Sequence, residues 1–164
     1  MDASLDTIRH QMVQLLPRLR RFAIALTGSP ADGDDLVQDT VERALKNLHA
    51  WEPGTRLDSW MFRIAKNRFI DNCRSASRAK TVTIDAVDDA AALDGEQAMQ
   101  SHLAFQDTAA ALQTLPAEQR QAVALVLVDG LSYRQAADIL EIPIGTLTSR
   151  ISRARQALLT ALEG

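Results

Sequence analysis

The stretch Leu131-Ser-Tyr-Arg-Gln-Ala-Ala-Asp-Ile-Leu-Glu-Ile-Pro-Ile-Gly-Thr-Leu-Thr-Ser-Arg-Ile-Ser-Arg-Ala-Arg155 decides the fold of the second half of this chain. Its pattern predicts two short helices joined by a tight turn. Ser132 followed three residues later by Gln135 forms a capping box, which starts the first helix. This helix ends before Pro143, because the residue that precedes a proline avoids helical geometry. The small Ala136-Ala137 pair allows a second helix to cross the first one closely.

The second predicted helix has one apolar side and one polar, basic side. Residues at helical spacing predict the buried side: Leu147, Ile151, Ala154 and Leu158. The opposite side carries hydroxyl and guanidinium groups: Thr148, Ser149, Ser152 and Arg153, flanked by Arg150 and Arg155. A helix of this kind suits the major groove of DNA. An ordinary solvated helix in a bundle is the alternative, and the combination of cap, proline turn and basic face favours DNA binding.

Length and composition limit the class of protein. With 164 residues, the chain has room for one or two small domains. Aromatic residues make up only 4% of it, so its cores must be aliphatic. The single cysteine, Cys73, excludes an internal disulfide framework and fits a reducing cytoplasm. We expect no membrane insertion, because no apolar run is long enough to span a bilayer and the N-terminus is not basic like a signal peptide.

Helical periodicity runs through most of the chain, and no segment shows sustained alternation, so the predicted fold class is all-α. One apolar stripe recurs at steps of four and three: Ile8, Met12, Leu15, Leu19, Phe22 and Leu26. Pro17 interrupts it and predicts a kink or a helix restart. After a turn over residues 27–33, a second amphipathic helix is predicted over 34–49. Its expected core face is Val37, Val41, Ala44, Leu45 and Leu48.

Charge is distributed unevenly along the chain. Residues 61–80 contain six basic residues and one acid, for a net charge of +5, whereas residues 81–107 contain six acids and no lysine or arginine. The acidic part, rich in Ala, Asp and Gly, is typical of a flexible linker. We therefore predict two small helical domains, at 1–80 and 97–164, joined by a flexible acidic linker at 81–96. Gly130 is the expected C-terminal cap of the helix that starts at Pro116.

Four segments together resemble the successive signatures of an extracytoplasmic-function sigma factor, group 4 of the sigma-70 family. They are Asp35-Leu-Val-Gln-Asp39, Ser59-Trp-Met-Phe-Arg-Ile-Ala-Lys-Asn67, Leu115-Pro-Ala-Glu-Gln-Arg120 and the stretch 142–155. They stand in the order that the family shows and cover nearly the whole chain. The loop Trp51-Glu-Pro-Gly-Thr-Arg-Leu57 resembles the alphaproteobacterial branch that includes general-stress sigma factors.

The resemblance implies a cytoplasmic bacterial transcription initiation factor that is not an enzyme and needs no cofactor. In such proteins domain two binds the clamp helices of the β′ subunit of core RNA polymerase and helps open the −10 element. Domain four binds the −35 element and the β-subunit flap, and an anti-sigma factor holds the protein inactive. The family's linker enters the polymerase channel, where the acidic residues of this chain would imitate nucleic acid; a plain solvated linker is an equal alternative.

The resemblance also assigns residues to each contact. Polymerase would be bound by the polar face of the second helix: Asp35, Gln38, Asp39 and Glu42. The −10 element would be bound by the basic third helix and the loop before it: Trp51, Arg63, Lys66, Asn67 and Arg74. The −35 element would be bound by the last helix: Thr146, Thr148, Ser149, Arg150, Ser152, Arg153 and Arg155. A flipped base would lie between Asn67 and the loop, with Trp51 as its platform or, alternatively, as a core residue.

Two positions depart from the family pattern, and two other functions remain open. A basic residue is common where Thr148 stands, and a glycine is common where Glu141 stands. The first alternative is a sigma-like decoy that sequesters an anti-sigma factor without binding DNA; the basic residues of the last helix argue against it. The second is a helix-turn-helix repressor, which would leave residues 1–80 unexplained. The three histidines have no metal-ligand spacing, and Cys73 fits inert packing better than a nucleophile.

Overall fold

The computed structural model describes residues 2–79 and 108–163, so the predicted linker at 81–96 lies outside the described residues. The described residues form helices and turns without strands, which confirms the all-α class. The helices are α1 (Asp2–Thr27), α2 (Pro30–Lys46), a 3-10 turn (Leu48–Ala50), α3 (Leu57–Ala79), α4 (residues 108–113), α5 (Ala117–Val123) continued by a π-helical turn (Ala124–Val128), α6 (Tyr133–Leu140) and α7 (Ile144–Glu163). None of these described helices combines the length and apolarity needed to cross a bilayer.

Helix α1 continues through Pro17, so of the two alternatives predicted at this residue the restart is wrong. The apolar stripe explains why, since Met12 on one side of the proline and Leu19 and Phe22 on the other are all buried in the same core. A proline inside a helix costs about 3 kcal/mol. Burial of several large apolar side chains exceeds that cost, at roughly 1.5–3 kcal/mol for each.

Helix α2 begins at Pro30, four residues before its predicted start. The Ser29 hydroxyl accepts a hydrogen bond from the Asp32 N–H at 3.0 Å and caps the helix. Gly33 then lets α2 cross α1 closely, because a Cβ atom there would lie 2.6 Å from the Ile24 side chain. The predicted turn over 27–33 is therefore reduced to the two residues between α1 and α2.

The predicted core face of α2 is confirmed at Ala44, which is buried, and at Val37 and Val41, which pack against the core. Leu36, Thr40 and Ala44 are buried, whereas Leu45 is 45% exposed, so its assignment to the core is wrong. The Thr40 hydroxyl donates to the Leu36 carbonyl at 2.7 Å, which satisfies this polar group inside the core. A search for apolar spacing overlooks a buried threonine of this kind.

Both ends of the chain contribute to one hydrophobic core, which extends from α1, α2 and α3 to α5, α6 and α7. Arg120 of α5 links the two parts, since it donates to the carbonyls of Leu26 at 2.9 Å and Leu115 at 3.0 Å. Gln113 donates to the Ala25 carbonyl at 2.9 Å. Gly28 makes room for this contact, because a Cβ there would lie 2.7 Å from the Gln113 side chain. The N-terminal and C-terminal helices are therefore packed against each other.

The predicted helix-turn-helix is confirmed. The Ser132 hydroxyl accepts from the Gln135 N–H at 3.1 Å, and the Gln135 side chain accepts from the Ser132 N–H at 3.0 Å. Helix α6 ends at Leu140 and is followed by its C-cap Glu141, which has a left-handed backbone with φ 58°. Gly130 has φ 71° and follows the π-helical turn, as expected for a C-terminal cap. The capping box and the left-handed turn together fix the angle at which α7 leaves α6.

Candidate nucleic-acid interface

Helix α7 presents a polar, basic face to solvent. Its opposite side is fixed in the core by residues that are at most 1% exposed: Leu147, Ile151 and Ala154. Five of the seven residues predicted to contact the −35 element are exposed: Thr148, Ser149, Ser152, Arg153 and Arg155. Thr146 and Arg150 are half-buried, and Arg150 forms an ion pair with Glu118 of α5 at 3.8 Å. The structure thus brings the predicted residues together on one helix and gives Arg150 an intramolecular partner.

Most polar side chains of this face are available for an external partner. Ser149, Ser152 and Arg153 make no hydrogen bond or ion pair with another described residue. Thr148 differs, because its hydroxyl donates to the carbonyl of Ile144 at 2.9 Å. A guanidinium with five unused N–H groups suits guanine or phosphate, and free hydroxyl groups suit base edges or phosphate.

The basic residues of α3 are in a different situation. Asn67 and Arg74 are exposed, as a nucleic-acid contact requires. Arg63, in contrast, donates from Nη2 to the carbonyl of Asp138 at 3.1 Å, and its Nε lies 3.7 Å from the Glu141 carboxylate. Residues of α6 and its C-terminal turn therefore cover part of the surface that was predicted to bind the −10 element.

Lys66 lies under the same cover and is only 5% exposed. Burial lowers the pKa of its ammonium group, while the Glu141 carboxylate opposes this shift and the Arg63 guanidinium adds to it. A lysine in this position cannot reach a phosphate unless α6 moves away from α3. The predicted −10 residues are thus adjacent along α3, but only some of them are accessible in this arrangement.

The loop before α3 is held by Asp58, a residue that the sequence patterns did not single out. Its carboxylate accepts from Arg56 at 2.7 and 3.0 Å, and from Arg18 of α1 at 3.3 Å. Burial disfavours its charged form, yet the hydrogen bonds from Arg56, the Ser59 N–H and Arg18, with the Arg56 charge, hold the pKa of the Asp58 carboxyl below its usual value. An aspartate in the first turn of a helix, two residues after an arginine, is the local signal for this contact.

Trp51 lies at the start of the same loop. It is half-buried and packs against the hydrophobic core, with its indole Nε1 buried and without a hydrogen-bond partner among the described residues. The ring contacts the core, as the core alternative for Trp51 predicts. The loop that follows it is exposed. A base platform at this residue stays a prediction.

The predicted polymerase-binding residues share one face of α2. Asp35, Gln38 and Glu42 are exposed. Asp39 is half-buried, and its carboxylate accepts from Arg68 of α3 at 3.1 Å. The exposed carboxylates are free to attract a basic partner surface, whereas Asp39 also connects α2 to α3.

One buried carboxylate was not expected from the sequence. Both oxygens of Asp129, at the end of the π-helical turn, are buried without a hydrogen-bond partner among the described residues. Burial raises the pKa of Asp129 to about 7, and the charges of Arg18 and Arg21 on α1 oppose that shift. The Asp-Gly pattern predicts a turn, and nothing local indicates that α1 closes over it.

Two sequence families match the chain, one over the N-terminal group of helices, α1 to α3, and one over the C-terminal group, α4 to α7. Residues 12–66 match the family described as the sigma2 domain of PhyR. Residues 105–158 match the family described as sigma-70, region 4. The first match covers the helices that carry the acidic face and the start of the basic helix, and the second covers the helix-turn-helix.

Individual proteins resemble the chain over most of its length. The ECF RNA polymerase sigma factor EcfG of Rhodopseudomonas palustris is 39% identical over 155 residues, which are 93% of this chain and 83% of the relative. The sigma factor RpoE of Bartonella quintana, solved in complex with the anti-sigma factor NepR, is 36% identical with a TM-score of 0.77, over 94% of this chain and 96% of that one. The anti-anti-sigma factor PhyR of the same organism shares the fold at 20% identity and a TM-score of 0.64, over 94% of this chain and 49% of its own.

Proposed function

Because the chain belongs to the extracytoplasmic-function RNA polymerase sigma factors, which act in transcription initiation, we propose that it brings core polymerase to stress-responsive promoters and reads their −35 and −10 elements. One observation carries the DNA-binding part of this proposal. Helix α7 is buried along Leu147, Ile151 and Ala154, and exposes a row of hydroxyl and guanidinium groups on the other side. A recognition helix that enters the major groove needs this division of its surface.

Each surface then has a role. The α7 face binds the −35 element, with Arg153 reading a base and Arg155 binding the backbone. The basic side of α3, with Asn67 and the loop that Asp58 holds, binds the −10 element. The acidic face of α2 binds the clamp helices of the β′ subunit, and the C-terminal helices also contact the β flap. In this scheme residues 1–80 act as sigma domain 2 and residues 97–164 as sigma domain 4.

An anti-sigma factor is the proposed regulator. Support comes from the relative RpoE, which was solved with the anti-sigma factor NepR and resembles this chain over 94% of its length. The packed arrangement of the two groups of helices supports a resting state in which α3 is partly covered, because Arg63 donates to the Asp138 carbonyl of α6 and Lys66 is buried. Opening of this contact would precede promoter binding. The protein would act with polymerase in the bacterial cytoplasm, as a regulator without catalytic activity.

The decoy function has less support. A decoy needs surfaces for an anti-sigma factor but has no use for an exposed recognition helix with free Ser149 and Arg153 side chains. The repressor alternative leaves the match at residues 12–66 without a role. The solved PhyR structure, at 20% identity, shares the fold alone with this chain, and the family match to the sigma2 domain of PhyR is confined to residues 12–66.

Runoff transcription tests the proposal. Core polymerase is mixed with the full chain and a library of promoters, and the transcripts are sequenced to identify the start sites and the shared upstream elements. We expect transcripts only when the chain is present, with two common elements at fixed spacing. Failure of the chain both to co-elute with polymerase and to give transcripts from any promoter would contradict initiation and favour the decoy.

A further inference from the structure

We infer that Thr148 recognises the 5-methyl group of a thymine in the −35 element through its own methyl group, and that Ile144 extends this apolar contact by one helical turn. The inference rests on the proposed function, and it specifies what part of the base is read. Thr148 carries no charge, and its hydroxyl is not free to donate, so it lacks what a polar contact with DNA requires.

The hydroxyl of Thr148 is already used inside the helix. It donates to the carbonyl of Ile144, four residues earlier, at 2.9 Å. Such a bond is a common local arrangement of threonine in helices. The donor is therefore occupied, and the methyl group is the other end of an exposed side chain. Thr148 thus presents an apolar group within an otherwise polar face.

Ile144 adds a second apolar group to the same face. Its side chain is 44% exposed, although isoleucine is among the residues most often buried. Residues four positions apart lie on the same side of a helix, so Ile144 and Thr148 form a short apolar strip at the N-terminal end of α7. Space is open beside it, since a Cβ atom at Gly145 would meet no heavy atom within 4 Å.

The chemistry of the major groove identifies the partner. Among the bases of unmodified DNA, only thymine presents a methyl group there, and a threonine methyl is one of the apolar groups that contact it. The N-terminal residues of a recognition helix are those that reach base edges. Ser149, Ser152 and Arg153 remain for polar contacts, so the face would combine one apolar reader with several polar ones.

Replacing thymine by uracil in the DNA tests this directly, because it removes only the 5-methyl group. Duplexes are first selected from a pool randomised in the −35 region by the full chain bound to core polymerase. Each thymine of the selected −35 sequence is then replaced in turn by deoxyuridine, and binding is measured for wild type, Thr148→Ser and Thr148→Val. Thr148→Ser keeps the hydroxyl and loses the methyl, whereas Thr148→Val keeps a methyl and loses the hydroxyl.

We expect one deoxyuridine position to weaken wild-type binding about four-fold, the effect of one methyl group leaving an apolar contact. Thr148→Val should keep this sensitivity, and Thr148→Ser should lose it while binding the uracil duplex like wild type. Ile144→Ala should reduce the sensitivity in part. Melting curves of the variants show whether each one is folded.

Two results would overturn the inference while leaving the proposed function in place: selective binding that is indifferent to uracil at every position, or equal sensitivity in wild type and Thr148→Ser. A failure of the chain to select any −35 sequence together with polymerase would instead contradict the proposed function itself. The two failures are therefore distinguishable in the same experiment.

Discussion

Arg63 on α3 and Glu141 at the turn of the helix-turn-helix face each other across the contact between the two groups of helices, with Nε 3.7 Å from the carboxylate oxygen. A second bond, from Arg63 to the Asp138 carbonyl at 3.1 Å, holds the guanidinium in place. Both side chains of the ion pair are partly exposed, at 39% and 63%, so the pair contributes about 1 kcal/mol or less. The ion pair is therefore a minor part of the contact that covers α3, since the two groups of helices also share one hydrophobic core.

Glu141→Gln should therefore strengthen the binding of duplex DNA by the free chain. The substitution removes the charge beside Arg63 and Lys66 and keeps the left-handed backbone, so it isolates the electrostatic effect. We expect about two- to five-fold tighter binding at low salt, matching an exposed ion pair, and a smaller difference at high salt. Fluorescence anisotropy of a labelled duplex measures this. Glu163→Gln, with the same charge change far along α7, is the control, and equal affinities for both variants would argue against the contact.

Arg153→Ala should change the sequence specificity of DNA binding, whereas Arg155→Ala should change only its affinity. Arg153 is exposed on the α7 face without an intramolecular partner among the described residues. Its loss should cost about 1–3 kcal/mol at one base pair and relax specificity there. Arg155→Ala should weaken all sequences alike and lower the slope of log affinity against log salt by about one. Transcription from a panel of −35 variants, with salt titrations of binding, separates the two; identical profiles would contradict the assignment.

Asp35→Lys should block assembly with core polymerase without loss of the fold. Asp35 is exposed and has no ion pair among the described residues, so its replacement removes no packing, and a lysine would repel a basic partner surface. Gel filtration with core polymerase detects assembly. Asp39→Lys is the informative comparison, because Asp39 pairs with Arg68 and its replacement should also lower the melting temperature. Normal co-elution of Asp35→Lys would remove α2 from the polymerase interface.

Local signals explain which parts of the fold were predictable. The helix-turn-helix follows from Ser132, Gln135 and Pro143, each of which acts on its own neighbours. The face of α7 follows from spacing alone. In α2 the predicted Val37, Val41 and Ala44 do lie on the core side, whereas the buried Thr40 was overlooked because it is polar by type but satisfied by its own helix.

Contacts between distant segments explain the rest. Arg120 belongs to a recognisable motif, but its bond to the Leu26 carbonyl joins residues 94 positions apart, and no local pattern encodes it. The ion pair between Glu141 and Arg63 likewise joins distant segments, so no local pattern encodes it. Sequence therefore indicated which residues suit DNA, and the packing of the two groups of helices determines which of them are accessible.

Asp129 makes the stability of the packed chain depend on pH. Its pKa is about 7 in the fold, against 3.8 for an ordinary aspartate, because burial disfavours the charged form more than Arg18 and Arg21 favour it. The folded state thus holds this proton to higher pH than the unfolded state does. The contribution of Asp129 to the free energy of unfolding is greatest below about pH 4. It falls as the pH rises toward 7 and is constant above that.

Asp129→Asn should abolish this dependence, because the amide stays neutral at every pH. We expect the variant to melt at a higher temperature than wild type at pH 7.5, and the difference to shrink steadily toward pH 4.5, where the wild-type carboxyl is protonated in the fold. Circular dichroism melting at several pH values gives the comparison. Asp138→Asn, on the exposed side of α6, controls for the loss of one charge. A constant difference across the range would mean that Asp129 is ionised in the fold and that α1 does not bury its charge.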